Sequence, residues 1–412
     1  MKPKIKKVLA EEILDSRGNP TVKVKIFTNF GSFSASVPSG ASRGKHEALE
    51  LRDGKKRYFG KGVLKAVKNV NEIISKAILG KDPRKQKEID QILIELDGTK
   101  NKSRLGANSI CPVSLACCKA GAKVKNLPLW KYINTTFFKI AKNIRVPRPA
   151  FNVINGGVHA GNDLDFQEFM VCPKAKSFSK NLQIGTEIYH LLKKILMKKF
   201  GKLAINVGDE GGFAPPLKKP EEAIEIILET AKKLNYLKKI SVFLDVAASQ
   251  FFKKRKYQTN FGILSGKELA KYYLNLIKKY PIESIEDPFS EDDFESWHHF
   301  KKMTKIQIVG DDLLVTNVER IKLAKEKDLC NAILIKINQI GTVTEAVEAV
   351  KLARSFGWKI MVSHRSGETT DDFAADFAVG TFADFVKFGA PARGERVVKY
   401  NRLLEIEKEI KE

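Results

Sequence analysis

No apolar run in the sequence approaches the roughly 18 residues that a membrane-spanning helix requires, so such a span is not expected. Cysteine is sparse. The five in 412 residues (Cys111, Cys117, Cys118, Cys172 and Cys330) have neither zinc-like pairing nor the density of a disulfide framework. Reduced structural thiols in a reducing compartment are the expectation, and Cys117-Cys118 in SLACCKAGA reads as part of a packed helix. No helix-turn-helix, zinc finger or aromatic-basic single-strand motif is present. The Gly/Ser-rich stretch VPSGASRGKHEA around Ser39 lacks the spacing of a Walker or dinucleotide loop, which argues against nucleotide binding.

Acidic residues are also under-represented. Lys and Arg total 73 against 48 Asp and Glu, a net charge of +25. Residues 1–140 carry 29 basic against 12 acidic side chains, a balance of +17, and residues 141–412 carry 44 against 36. A surface that attracts RNA or another polyanion is therefore expected mainly on the first third of the chain. The start, MKPKIKKVLAEEILDSRGNP, acquires acids and a turn before any secretory apolar core develops, so a cytoplasmic location is expected.

What is present is a globular composition, 43% hydrophobic, with two textures. TVKVKIFTNFGSFSASVP alternates as antiparallel strands around Asn29-Phe30-Gly31, helical patterns run from Gly62 to Ile94, and a further helix is expected after GANS with Pro112 in its first turn. RVPRPAFNVINGG then breaks the pattern, which places a boundary near residue 140. The expected division is a smaller α+β cap domain (1–140) before a larger domain (141–412).

The larger domain has a rhythm. Short apolar runs end in ionisable residues at Asp245, Glu286, Asp311, Lys336, His364 and Lys387, spaced 41, 25, 25, 28 and 23 residues apart. Helical patterns such as NVERIKLAKEKD and TEAVEAVKLARSFG lie between, the unit of a parallel β/α fold. A parallel strand is covered on both faces and opens only at its carboxyl end, where charge is tolerated. Six such strands, with room for two more near Phe151 and Gln167, predict an eight-stranded β/α barrel of the TIM type. An open doubly wound sheet, the main rival, would concentrate its ligands near one switch point rather than charge every late strand.

Asp245, Glu286 and Asp311 end consecutive strands, and close carboxylates repel unless cations hold them. Oxygen-only ligation suits Mg²⁺ or Mn²⁺, whereas each residue alone would serve as an ordinary helix cap. Lys336 and Lys387 join the same ring. Neighbouring cations and a metal are expected to lower a lysine pKa and so make a base, with a plain ion pair as the alternative. NVGDEGGFAPP supplies Glu210; FNVINGGVHAGNDLDFQEF supplies His159, Gln167 and Glu168, with glycines suited to a mobile loop; SHRSGET supplies His364, Arg365 and Ser366, donors suited to phosphate or carboxylate. Together these groups favour proton removal at a carbon beside a carboxylate, where divalent ions hold the enolate charge.

The blocks DSRGNP (15–20), VPSGAS (37–42), GGVHAGN (156–162), GDEGGFAP (208–215), LDVAAS (244–249), SIEDPF (284–289), VGDDL (309–313), LIKINQIGT (334–342), SHRSGET (363–369) and GAPARGER (389–396) occur in order along nearly the whole chain. In these blocks the sequence closely resembles the enolase (phosphopyruvate hydratase) family. The resemblance implies a barrel that begins with two strands and two helices, and the reversible, Mg²⁺-dependent dehydration of 2-phospho-D-glycerate to phosphoenolpyruvate in glycolysis and gluconeogenesis, with two Mg²⁺ ions in turnover. It implies Asp245, Glu286 and Asp311 as ligands of the tighter magnesium and Ser39 as a residue that positions the second and helps close the site. Lys336 is implied as the base, Glu210 as the acid at the C3 hydroxyl with Glu168 in support, and Lys387 as the stabiliser of the substrate carboxylate. Arg365 and Ser366 are implied for phosphate, and His159, His364 and Gln167 for the substrate shell. It further implies a homodimer, with an octamer as the alternative, and a second, cell-surface location for some relatives. A barrel acid-sugar dehydratase or racemase, and a noncatalytic polyanion- or protein-binding homologue, are the rival readings. Four positions depart from the common family text: Arg43, Gln250, Thr370 and Phe388.

Overall fold

The computed structural model describes residues 2–41, 44–54, 56–138 and 144–411. The expected boundary near residue 140 lies outside the described residues, as does Arg43.

The alternating first segment forms an antiparallel meander, β1 (Ile5–Leu14), β2 (Pro20–Thr28) and β3 (Gly31–Ser36). Its apolar positions Val22, Val24 and Ile26 are buried, and the helix Ala107–Val124 packs on β2 and β3. That helix starts three residues earlier than expected after GANS. Pro112 therefore lies beyond the first turn, where its missing N–H removes one ladder bond. Cys111, Cys117 and Cys118 are buried on the same helix, and all five cysteines are free thiols.

The second part is a nearly closed barrel. Nine segments form one sheet in the order β4 (Arg148–Pro149), β15 (Phe385–Lys387), β14 (Lys359–Ser363), β13 (Ala332–Ile335), β12 (Gln307–Gly310), β11 (Ile282–Glu286), β7 (Ile240–Asp245), β6 (Glu168–Pro173) and β5 (Phe151–Asn155). Only Ala150 separates β4 from β5, so the two ends of the sheet are one stretch of chain and eight positions surround the axis. The β5–β6 and β6–β7 pairs are antiparallel and every other barrel pair is parallel. The helices Phe178–Phe200 and Pro220–Lys233 lie between β6 and β7, so the barrel does begin with two strands and two helices. A small outer sheet is made of β8 (Phe252–Lys253), β9 (Lys256–Thr259) and β10 (Gly262–Leu264).

Side chains of a strand alternate between its two faces. The inward set gathers Ala150, Met170, Cys172, Phe243, Val309, Ala332, Leu334, Met361 and Phe385 into a separate apolar cluster inside the barrel. Two residues further toward the mouth, the same faces carry Asn152, Glu168, Asp245, Asp311, Lys336, Ser363 and Lys387, and β11 adds Glu286 beyond Ser284. The period of two thus converts an apolar plug into a charged ring. Outside the barrel, helix ends are fixed by local polar groups: Ser265 and Glu268 form a capping box, Thr342 accepts from Glu345 N, and Asn317 accepts from Glu319 N and Arg320 N. Among the described residues, no helix is long and apolar enough to cross a membrane.

The plug is filled edge-to-face by Phe243 and Phe385, ring centroids 5.2 Å apart. Phe243→Ala is expected to destabilise the protein by about 3–5 kcal/mol, read as a lowered midpoint in guanidinium unfolding.

Candidate active site

The charged ring is held by two ammonium groups. Lys387 Nζ lies 2.8 Å from Asp245 Oδ2, 2.9 Å from Glu286 Oε1 and 3.1 Å from Glu168 Oε1. Register explains the convergence: Asp245 pairs with Glu286 in one direction and with Glu168 in the other, so three adjacent strands present carboxylates at one level. Lys336, one residue past β13, places Nζ 2.5 Å from Asp311 Oδ2. Gln339 Nε2 donates to the other Asp311 oxygen at 3.0 Å, and Gln167 Nε2 donates to Asp245 Oδ2 at 3.2 Å.

Burial alone would lower both amines. The carboxylates beside them reverse this, Asp311 for Lys336 and chiefly Asp245 for Lys387, and hold both above the ordinary lysine range. Each amine lies beside an anion carried by another strand or its end. Burial raises Glu286 and Glu168, with Asp245 adding to the first and Glu210 to the second.

Glu210 enters from the loop after the helix Phe178–Phe200. That loop fits tightly: a Cβ on Gly208 would lie 2.3 Å from the His159 carbonyl oxygen, and one on Gly389 2.7 Å from the Glu210 carbonyl oxygen. Asn152 Nδ2 donates to Glu210 Oε2 at 3.0 Å, His364 Nε2 lies 3.3 Å from the same oxygen, and His159 Nδ1 lies 3.6 Å from Oε1. His159 is buried in the Gly157–His159 turn rather than on an open loop, and burial lowers its pKa. Burial also pushes His364 down to about 3, so its ring is neutral at pH 7.

Arg365 donates from both terminal nitrogens to Glu47, at 2.9 and 3.1 Å, and Ser366 Oγ accepts from Ala41 N at 2.6 Å. Ser39 stands apart. Its backbone bridges to Gly367, but its hydroxyl donates to Glu50 at 2.9 Å and accepts from Arg52 at 3.0 Å. A small cavity remains at the centre, lined by His159, Glu168, Glu210, Lys336, Arg365 and Lys387 among others.

Two groups of three buried ligand atoms, each within 4.8 Å of one another, occur among the described residues: His159, Glu168 and Glu210, and Asp287, Asp311 and Asp312. Either can coordinate a metal ion. The buried Glu168 Oε2, Gln167 Oε1 and both His159 ring nitrogens have no hydrogen-bond partner, which fits a site built for a polar guest. The donors of Asp245, Glu286 and Asp311 are all carboxylate oxygens, the set a hard divalent cation takes.

The family models for the enolase N-terminal domain and the enolase C-terminal TIM barrel domain match residues 5–133 and 143–412. The enolase of Methanocaldococcus jannaschii is 54% identical over 408 residues, covering 98% of this chain and 95% of that protein. The chain belongs to the enolase family.

Several groups in this enolase-family site escape a reading of strand tips. Asp287 accepts the N–H groups of Asp311 and Asp312 at 2.9 and 2.8 Å, and so fixes the turn that aims Asp311. Glu47 anchors Arg365 from the first domain. Arg396 is fully buried and donates to the carbonyls of Arg365, Ser366 and Asp209 and to His364 Nδ1, the last at 2.7 Å. Arg396 lies in the block GAPARGER, but nothing in its spacing gives its direction. Of the departures from family text, Phe388 alternates outward from Lys387 and packs on Tyr400, while Gln250 and Thr370 are exposed.

A guanidinium has only donors, so His364 Nδ1 must accept and the ring proton must sit on Nε2, facing Glu210. Nitrogen-15 spectra of the protein at pH 7 should therefore show His364 with a bare Nδ1 and a protonated Nε2. The opposite tautomer would contradict this geometry.

Proposed function

We propose that the protein catalyses the reversible dehydration of 2-phospho-D-glycerate to phosphoenolpyruvate, a carbon–oxygen lyase reaction. The observation that carries this reading is the placement of an amine, Lys336, and a carboxyl, Glu210, around one small buried cavity with a guanidinium beside them. Elimination across two adjacent carbons needs a base at one and an acid at the next.

In this reading Lys336 Nζ takes the C2 proton, and Glu210 delivers a proton to the departing C3 hydroxyl. Glu168 supports it across the cavity, and His159 lies beside it. Lys387, tied to three carboxylates, presents fixed positive charge to the substrate carboxylate. Arg365 and Ser366 receive the phosphate, His364 donates into the shell through Glu210, and Gln167 orients Asp245. Asp245, Glu286 and Asp311 would hold one Mg²⁺, and Ser39 would serve a second by exchanging its bonds to Glu50 and Arg52. Bound there, the ions supply positive charge that stabilises the enolate and draws electron density from the carboxylates, easing the lysine toward its neutral form. Burial of the whole ring strengthens these interactions by excluding water.

We also propose a homodimer, with an octamer as the alternative, a cytoplasmic location, and a division near residue 140 between cap and barrel. A noncatalytic homologue would not need both proton-transfer groups aimed at one cavity.

Purified protein with Mg²⁺ and 2-phosphoglycerate should develop phosphoenolpyruvate absorbance, and a chelator should abolish it. No turnover would overturn the reading. Lys336→Ala should lower kcat by at least about 100-fold, on the scale of one well-aimed electrostatic group, and should abolish hydrogen exchange at C2. Rapid exchange in that variant would assign the base elsewhere.

A further inference from the structure

A second cavity, larger than the one in the charged mouth, opens elsewhere on the barrel. It lies at the opposite end of the barrel, where β4, β11, β12, β14 and β15 begin and β6 ends, and its volume is about 1330 Å³. This exceeds the roughly 300–1,000 Å³ of ordinary small-molecule sites and suits a length of polymer. The apolar plug separates it from the active-site ring.

Seven basic side chains line this floor against three acidic ones. The acids are already committed. Glu283 takes Arg148 at 2.9 Å and Lys174 at 3.6 Å, Asp384 takes Arg354 at 2.7 Å and Lys359 at 3.4 Å, and Glu407 accepts the N–H of Phe178 at 2.7 Å. Lys176, Lys305 and Lys411 are exposed and make no ion pair among the described residues. Between the cations the walls are aliphatic, formed by the half-buried Ile144, Val146, Ile277, Ile306 and Ile410. Concavity with low-dielectric walls focuses a positive field.

We propose that the barrel floor docks an acidic peptide segment of a partner protein, its carboxylates on Lys176, Lys305 and Lys411 and its aliphatic side chains on the isoleucine walls. A nucleic acid fits less well. Single-stranded binding uses exposed aromatic platforms, whereas Phe178 and Phe385 here are buried and the Arg148 guanidinium covers the Phe385 ring at 5.2 Å. This concave basic surface is formed by residues between 144 and 411.

The test uses the intact protein and fluorescence anisotropy with a short fluorescein-labelled peptide alternating Asp or Glu with Leu, beside an oligouridylate of equal charge. Lys176→Glu, Lys305→Glu and Lys411→Glu combined should weaken the peptide at least ten-fold, since facing like charges cost several kcal/mol. The control Lys65→Glu, Lys76→Glu and Lys87→Glu, exposed in the first part of the chain, should leave it unchanged, and replacing each Leu of the peptide by Ser should weaken binding. Unchanged turnover in both variants, on the opposite face, reports that they fold. Equal loss in the two variants, no loss in the floor variant, no binding at all, or tighter binding of oligouridylate than of the peptide would each overturn the proposal.

Discussion

Two ammonium groups, one buried and one half-buried, make this barrel mouth possible. Glu168, Asp245 and Glu286 all approach Lys387, and Asp311 approaches Lys336, in surroundings with almost no water. A carboxylate moved from water to such a place incurs several kcal/mol of lost solvation, and like charges at this range add to it. The amines offset both terms. Because each lysine touches an anion on a different strand, the same contacts also tie strands together at their carboxyl ends. Electrostatic satisfaction and barrel closure are therefore one requirement.

The glycines of the GDEGGFAP loop and the buried Arg396 serve that requirement from outside the strands. Gly208 lets the loop lie against the His159 backbone, so that Glu210 reaches the ring, and Arg396 gathers three carbonyls and one imidazole nitrogen from the segments that face it. Asp287 does the same for the turn at Asp311. These residues touch no reacting atom in the proposed chemistry, yet each fixes the direction of one that does. Precision in the ring is thereby borrowed from backbone hydrogen bonds.

Much of this was legible in the sequence, for a physical reason. An apolar run that ends in a charge has few places to go in a folded protein, and the carboxyl end of a parallel strand is the chief of them. Asp245, Glu286, Asp311, Lys336 and Lys387 were readable on that ground. On β14 the inward position falls to Ser363, and His364 follows one residue beyond the strand. What remained hidden depends on contacts between distant segments. The hydroxyl of Ser39 belongs to Glu50 and Arg52, the guanidinium of Arg365 belongs to Glu47, and each amine finds its anion more than 20 residues away. Spacing along a chain does not encode such pairings. The helix at Ala107 began early for a similar reason, its first turn being held by the Gly106 region rather than by the residues that follow Pro112.

The layer of Phe243, Phe385, Leu334 and Met361 has one more consequence. It is a dry partition. It keeps water and ions from passing between the two ends, but hydrocarbon does not screen a field, so only distance and the solvent around the barrel weaken the influence of the floor cations on the proton equilibria above.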